Sequence, residues 1–201
     1  MKIIFATKNR GKVKDLNQLF KDNNINHKII GLNEIEHRIK IEETGSTFKE
    51  NALLKAKVVY KTFKLPVIAD DSGLIVQGLD GKPGIFSARY AGENATDKDN
   101  YTKLIADTKH LQNKEAYFEC ALVYINDKGE IFSAEGRCFG EIIDNPRGKN
   151  GFGYDPIFFL KDLGKTMAEI SSETKNKISH RAKAFDKLIK HFKKAKTENK
   201  G

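Results

Sequence analysis

The sequence predicts an α/β protein, and three observations carry that prediction. Short apolar runs of strand length alternate with stretches whose apolar residues recur at helical spacing. The segments between them are polar and rich in Gly, Asn and Asp. No internal repeat or Pro/Ser-rich linker divides the chain. Its 201 residues suit one domain, or two lobes sharing a core, and residues 1–201 are taken as one such domain. A chain of this length buries about 70% of the surface it exposes when unfolded, so no disulfide or metal staple is required.

Residues 2–6 are an apolar run read as a buried strand, and residues 7–11 a polar turn. Val13, Leu16, Leu19 and Phe20 follow at helical spacing. Strand, Gly-containing turn and helix in that order open an α/β unit. Residues 27–32 are a candidate second strand and 42–46 a polar turn. Thr47 and Glu50 have the spacing of a capping box, ahead of a stripe of Phe48, Ala52, Ala56, Val59, Tyr60 and Phe63. Residues 66–69 read as a short buried strand that ends at Asp70-Asp71-Ser72-Gly73. Residues 78–84 are loop, and 97–107 a helix. Strands at 116–125 and 130–138 are joined through Asn126-Asp127-Lys128-Gly129 as a hairpin. Residues 148–156 form a Gly-rich loop with two aromatics. Ile178, Phe185, Leu188, Ile189 and Phe192 mark a last amphipathic helix, with a basic tail from about residue 193.

Composition excludes several classes. With 39% hydrophobic and 31% charged residues the chain is neither disordered nor collagen-like. No apolar stretch approaches the ~20 residues of a membrane helix, and Ile3, Ile4 and Phe5 are too few for a signal peptide's apolar core. Cys120 and Cys138 make no disulfide framework, which points to a reduced, cytoplasmic protein. The net charge is +9, of which +5 falls from Lys183 to the C-terminus. That excess reads as a solvated helix face with a frayed end, or as a patch for polyanions. Phe185 and Phe192, the aromatics that could stack on bases, fall on the apolar face of that helix.

Chemistry is narrowed first by absences. There is no Walker-type phosphate loop, zinc His pair, paired-Cys site or nucleophile elbow, which argues against covalent catalysis. Four stretches remain. Asp70 and Asp71 after an apolar strand, and Glu42 and Glu43 before the capped helix, supply hard oxygens of the kind Mg²⁺ takes; each also reads as an ordinary turn or cap residue. Neighbours in an extended chain point to opposite sides, so one of each pair suffices for a metal. Thr7, Lys8, Asn9, Arg10, Gly11 and Lys12 place cations and donors at a helix N-terminus, where backbone N–H groups bind phosphate. Three glycines around Phe152 and Tyr154 let backbone approach a ligand and an aromatic stack on a base, or the rings pack inward. Lys175, with Ser179, His180 and Arg181 a turn further on, offers donors to a ligand.

Taken together, residues 6–12, 42–52, 69–74, 83–92, 148–159 and 175–181 resemble the inosine/xanthosine triphosphate pyrophosphatase family, in order and over nearly the whole chain. The resemblance implies a two-lobed fold, with a long mixed β-sheet flanked by helices and an active-site cleft between the lobes. It implies a homodimer with one or more Mg²⁺ per subunit. The reaction it implies is hydrolysis of ITP, dITP or XTP between the α- and β-phosphates, a cleansing of the nucleotide pool. Carried onto this sequence, Thr7, Lys8, Asn9, Arg10, Gly11 and Lys12 would cradle the triphosphate. Glu42 and Asp71 would hold the metal, and Asp71 would accept the proton of the attacking water. Ser72 would touch substrate. Phe152, Gly153, Tyr154 and Asp155 would form the nucleoside pocket, with Phe152 on the base. Lys175, His180 and Arg181 would complete base and phosphate contacts. Asp15 stands where many relatives have Glu.

The physical logic agrees with that expectation. A nucleoside triphosphate carries roughly −4, and phosphoryl chemistry is mostly positioning plus charge neutralisation. Mg²⁺ with Lys12, Lys175 and Arg181 would match that charge. Two other readings stand beside it: a nucleotide pyrophosphatase of different base preference, and a nucleic-acid-binding module built on the basic C-terminal helix. Acid-rich loops argue against the second, because without metal they repel phosphate. Neither membrane nor nucleic acid is an expected partner.

Overall fold

The computed structural model describes residues 1–35 and 39–198, the side chains of residues 196–198 excepted. Lys200 and the Lys196 side chain, both counted in the basic C-terminal segment, lie outside the described residues. The first half of the chain holds β1 (Lys2–Phe5), α1 (Arg10–Asp22), β2 (Lys28–Gly31), α2 (Phe48–Phe63), β3 (Val67–Val76) and α3 (Asp97–Thr108). The second holds β4 (Glu115–Ile125), β5 (Ile131–Ile142), β6 (Phe158–Leu160), β7 (Lys165–Thr166), α4 (Ser172–Ile178) and α5 (His180–Glu198). The seven strands form one sheet in the order β2-β1-β3-β4-β5-β6-β7. It is mixed: β1 pairs in parallel with β2 and β3, while β5–β6 and β6–β7 are antiparallel. The α/β class read from the sequence is the class observed.

The chain divides into two units. One comprises Met1–Asp71, Ala121–Glu135 and the residues from Ala184 onward; the other comprises Ser72–Cys120 and Gly136–Lys183. In the first unit β1 is apolar at Ile3, Ile4 and Phe5, all fully buried, as expected of a parallel strand covered on both faces. Its core joins Ile4 and Ala6 to Ala52, Ala56 and Val59 of α2, and to Val67, Ala69, Val123 and Ile125 of the sheet. Small residues at 52 and 56 let α2 lie close to the strands. Helix α5 closes this unit with aromatic contacts: Phe185 meets Phe5 at 6.1 Å and Phe192 meets Phe20 at 5.2 Å between ring centroids. Both rings that could have served a nucleic-acid surface therefore pack inward.

The second unit has its own core, in which Leu74, Val76, Leu104, Phe118, Ile142, Phe158 and Met167 are buried together. Helix α3 starts with a complete capping box: Thr96 Oγ1 accepts from the Asp99 N–H at 3.2 Å, and Asp99 Oδ2 accepts from the Thr96 N–H at 2.9 Å. Cys120 and Cys138 are both buried.

Three boundaries differ from the sequence reading. Strand β3 does not stop before Asp70-Asp71 but runs through them to Val76. The acids interrupt the apolar run without interrupting the strand, because each carboxylate meets a lysine there. Helix α4 ends at Ile178 and α5 begins at His180, so Ile178 is not on the last helix. Ser179 separates them with extended backbone (ψ 157°), and its Oγ accepts from the Ala182 N–H at 3.2 Å. Finally, α5 stays helical to Glu198, past residue 193.

The capping signal at α2 is half as read. Thr47 Oγ1 accepts from the Glu50 N–H at 3.1 Å, while Glu50 Oε2 turns to the N–H and hydroxyl of Ser46, at 2.7 and 2.6 Å. Thr47→Ala removes the N-cap acceptor and is expected to cost about 1 kcal/mol. In thermal unfolding that appears as a fall of roughly 2–4 °C in Tm for a domain of this size; an unchanged Tm would show the cap to be dispensable.

Candidate active site

In the first unit the chemistry gathers on Asp70 and Asp71 of β3. Successive side chains of an extended strand project to opposite faces, so the two acids need two different cations. Asp70, with its side chain 2% exposed, receives Lys12 Nζ of α1 at 2.8 and 3.0 Å. Asp71 receives Lys55 Nζ of α2 at 3.0 Å and Asn51 Nδ2 at 3.2 Å. Lys55 Nζ also meets Glu43 Oε1 at 2.9 Å, so one ammonium holds two carboxylates. Asn51 in turn accepts the Gly45 N–H at 2.8 Å, which ties the acidic loop to α2. Glu42 is placed elsewhere: it lies at the surface against Lys40, at 2.6 Å. The structure thus brings Glu43, not Glu42, to Asp71.

At Lys55, two carboxylates, Asp71 and Glu43, face one ammonium, an excess of one negative charge. Burial pulls the Lys55 ammonium down, but Asp71, Glu43 and Asp70 outweigh it, and its pKa ends above the ordinary lysine value. Burial pushes the Asp71 carboxyl up. Lys55 and Asn51 pull it back only in part, and the Glu43 charge adds to the rise. An acid so placed is a better base than an exposed aspartate.

The basic turn 7–12 forms the start of α1. Asn9 is the N-cap, its Oδ1 accepting from the Lys12 N–H at 3.1 Å, and Thr7 Oγ1 accepts from the Asn9 N–H at 3.2 Å. Lys8, Asn9, Arg10 and Gly11 are exposed, and Lys12 turns inward to Asp70. This is the first turn of a 13-residue helix with no acidic residue in it, an arrangement that favours anions.

In the second unit, Ser72 follows Asp71 along β3 and is half-buried. The loop at 148–156 splits its two aromatics. Phe152 is 60% exposed, with Lys175 Nζ 4.6 Å from its ring centroid. Tyr154 is buried, and its hydroxyl donates to the Ser87 carbonyl at 2.7 Å. Phe152 is therefore the ring available for stacking, and Tyr154 is a core residue. Asp155 is also buried; it pairs with Lys175 and accepts the Phe152 N–H at 2.8 Å. Gly151 has φ +80°, and a Cβ there would overlap the Asp155 carboxylate, so this position requires glycine. Gly153 donates its N–H to Asp97 Oδ2 at 2.7 Å. His180 stacks on Phe118 at 5.0 Å, 16° from parallel, and Arg181 is half-buried beside it in the first turn of α5. Because α4 and α5 are separate helices, Lys175 does not share a helix face with His180 and Arg181.

Pairing changes the charge count. Lys12 and Lys175 each already hold a carboxylate, so neither is a spare cation for phosphate. The sequence reading missed Lys55, Asn51 and Asp97. For the first two a signal existed: Asn51 and Lys55, four apart, interleave with the apolar stripe of α2. A lysine on a buried stripe demands an acid. Two open grooves of about 510 Å³ each, one lined by Lys49, Phe132 and Lys187 and the other by Lys114, Asp144 and Arg147, contain none of these residues.

The Ham1 family model matches residues 3–191. The chain belongs to the Ham1 family. A Bacillus subtilis (strain 168) protein named dITP/XTP pyrophosphatase is 48% identical over 189 residues, 93% of this chain and 94% of its own length. A Clostridium perfringens (strain 13 / Type A) protein of the same name is 44% identical over 200 residues, 96% and 97%. The solved Ham1 protein of Staphylococcus aureus superposes with a TM-score of 0.91 at 42% identity, covering 97% of this chain and all of that one. A HAM1 protein from Coxiella burnetii gives 0.91 at 39% identity, covering 96% and 99%.

Within this Ham1 chain the Asp71 carboxyl should titrate above the ordinary aspartate value of about 3.9. Asn51→Ala removes a donor to the ionised form and should move the midpoint up. Glu43→Gln removes a like charge and should move it down. The raised value also sets a sign for stability. Folding binds this proton more tightly than the unfolded chain does, so the Asp71 contribution falls as pH rises from the unfolded to the folded midpoint. Carboxyl NMR titration of the three proteins checks the ordering, and an upward shift in Glu43→Gln would contradict it.

Proposed function

We propose that this Ham1-family protein hydrolyses non-standard purine nucleoside triphosphates, ITP, dITP and XTP, to the monophosphate and pyrophosphate. The observation that carries the reading is Asp71, a buried carboxylate of raised pKa fixed by Lys55 and Asn51, in a chain 48% identical to a protein named dITP/XTP pyrophosphatase. Asp71 takes the proton from the attacking water, and the new oxygen–phosphorus bond forms as pyrophosphate leaves. Lys55 and Asn51 hold the carboxylate in one orientation. The first-turn amides of α1, with Thr7, Lys8, Asn9, Arg10, Gly11 and Lys12, receive phosphate oxygens, and Ser72 adds a hydroxyl donor. Lys12 reaches phosphate by sharing or releasing Asp70.

A magnesium ion is part of this proposal. Among the described residues, no group of three or more His, Cys, Asp or Glu side chains stands ready for a metal. Mg²⁺ suits such a site, since it keeps several waters and binds through one or two carboxylates plus substrate phosphates. Asp71 and Glu43 fit as those two: they already share one cation, the Lys55 ammonium, and their cluster carries a negative excess. Glu42, the residue expected from sequence, is one position away on the same loop. When bound, the ion would neutralise phosphate charge and make the attacking water more acidic.

Base selection falls to Phe152, Lys175, His180 and Arg181. Hypoxanthine and xanthine present an acceptor at position 6, where adenine presents a donor. An arginine there favours the oxo bases, and a mispaired buried donor costs ~1–3 kcal/mol. A homodimer is part of the same reading. The cytoplasm is the compartment that holds the substrates, and no helix among the described residues is long and apolar enough to cross a membrane.

Asp71→Asn keeps the shape of the side chain and removes the base. Turnover of ITP should fall by a factor of roughly 100 or more, the scale of general-base catalysis, while ITP binding by calorimetry persists. Turnover close to wild type would remove Asp71 from the mechanism.

A further inference from the structure

We propose that Asp97 is a positioning residue for base binding, acting by fixing the turn that presents Phe152; this rests on the function proposed above. The turn is held by two carboxylates from two different elements. The Phe152 N–H donates to Asp155 Oδ2 at 2.8 Å, and the next N–H, that of Gly153, donates to Asp97 Oδ2 at 2.7 Å. Both flanking glycines are left-handed, Gly151 at φ +80° and Gly153 at φ +62°, and a glycine backbone is the freest to swing when a tether is lost. Phe152 itself is 60% exposed, with Lys175 Nζ 4.6 Å from its ring centroid, so its direction depends chiefly on its backbone.

Asp97 is suited to this task because its helix does not need it as a cap. Thr96 and Asp99 complete the capping box of α3 between themselves. The helix is anchored beyond that point by Asn100, which is 3% exposed and bonds to the Ala91 N–H and the Ala88 carbonyl. Leu104 is fully buried in the core of the same unit. Asp97 thus ties a helix anchored in the core to the glycine-flanked turn that carries Phe152. A charge-assisted hydrogen bond of this type is about twice as strong as a neutral one. A base that stacks on Phe152 meets a ring already aimed, and the ordering cost on binding is reduced.

The test is a double-mutant cycle read in steady-state kinetics with ITP, together with inhibition by inorganic tripolyphosphate, which has phosphates but no base. Asp97→Ala should raise KM for ITP roughly tenfold, the scale of losing one hydrogen bond to a charged group, with kcat changed far less. Asp97→Asn keeps an acceptor oxygen and should recover most of that loss. In a Phe152→Ala background, Asp97→Ala should add nothing. The tripolyphosphate inhibition constant should stay unchanged throughout.

The proposal is overturned if the Asp97 and Phe152 effects add, or if tripolyphosphate weakens as much as ITP. It is also overturned if Asn is as defective as Ala, since Asp97 would then act through its charge on the helix end. If Phe152→Ala leaves KM for ITP unchanged, base stacking itself fails, and this proposal falls with it. If Phe152→Ala raises KM and Asp97→Ala does not, the proposed function survives and only the role of Asp97 is lost.

Discussion

A carboxylate inside a sheet needs a cation, and most of the first unit follows from that need. Asp70 and Asp71 sit side by side in β3 with side chains on opposite faces, so a single lysine cannot serve both. Lys12 comes from the first turn of α1 and Lys55 from the middle of α2, one for each acid. The two helices therefore lie where their ammonium groups can reach, and β3 carries two charges through its length without breaking. Removing one member of such a buried pair strands the other charge, which costs far more than the pair contributes. Glu43 sharpens the arrangement by adding a second carboxylate to Lys55.

The second unit solves a different problem, that of holding an aromatic ring at the surface without packing it. Gly151 permits a turn that a side chain would block, and the Asp155 carboxylate fills the space beneath it. Asp155 then receives the Phe152 N–H and Lys175, so one buried acid aligns both a ring and an ammonium. Tyr154, next but one along, anchors the loop through its hydroxyl to the Ser87 carbonyl. The first unit thus orders charged side chains against one another, while the second orders a turn that carries an exposed ring.

The elements were legible where periodicity or caps are local. The apolar run of β1, the stripe of α2 behind Thr47 and the Asn126–Gly129 turn all depend on near neighbours. Boundaries failed where distant partners decide. Nothing local shows that Lys12 and Lys55 will neutralise Asp70 and Asp71, so the strand was read as ending there. Likewise Ser179 looks like an ordinary helical residue until its hydroxyl caps the next helix. Within the site, Asp71, Lys12 and Phe152 were legible as residue types in context. Glu43 against Glu42 was not, because adjacent acids in a loop are equivalent until one is seen on Lys55. Asp97 was hidden as one more acid in a first helical turn, where such residues are common.

Pyrophosphate release from ITP, XTP, GTP and ATP, measured with Mg²⁺ and again with chelator, tests the central claim most directly. Release from ITP and XTP that requires Mg²⁺, with GTP and ATP far slower, is the expected result. Equal release from all four, or none from ITP and XTP with Mg²⁺ present, would contradict it.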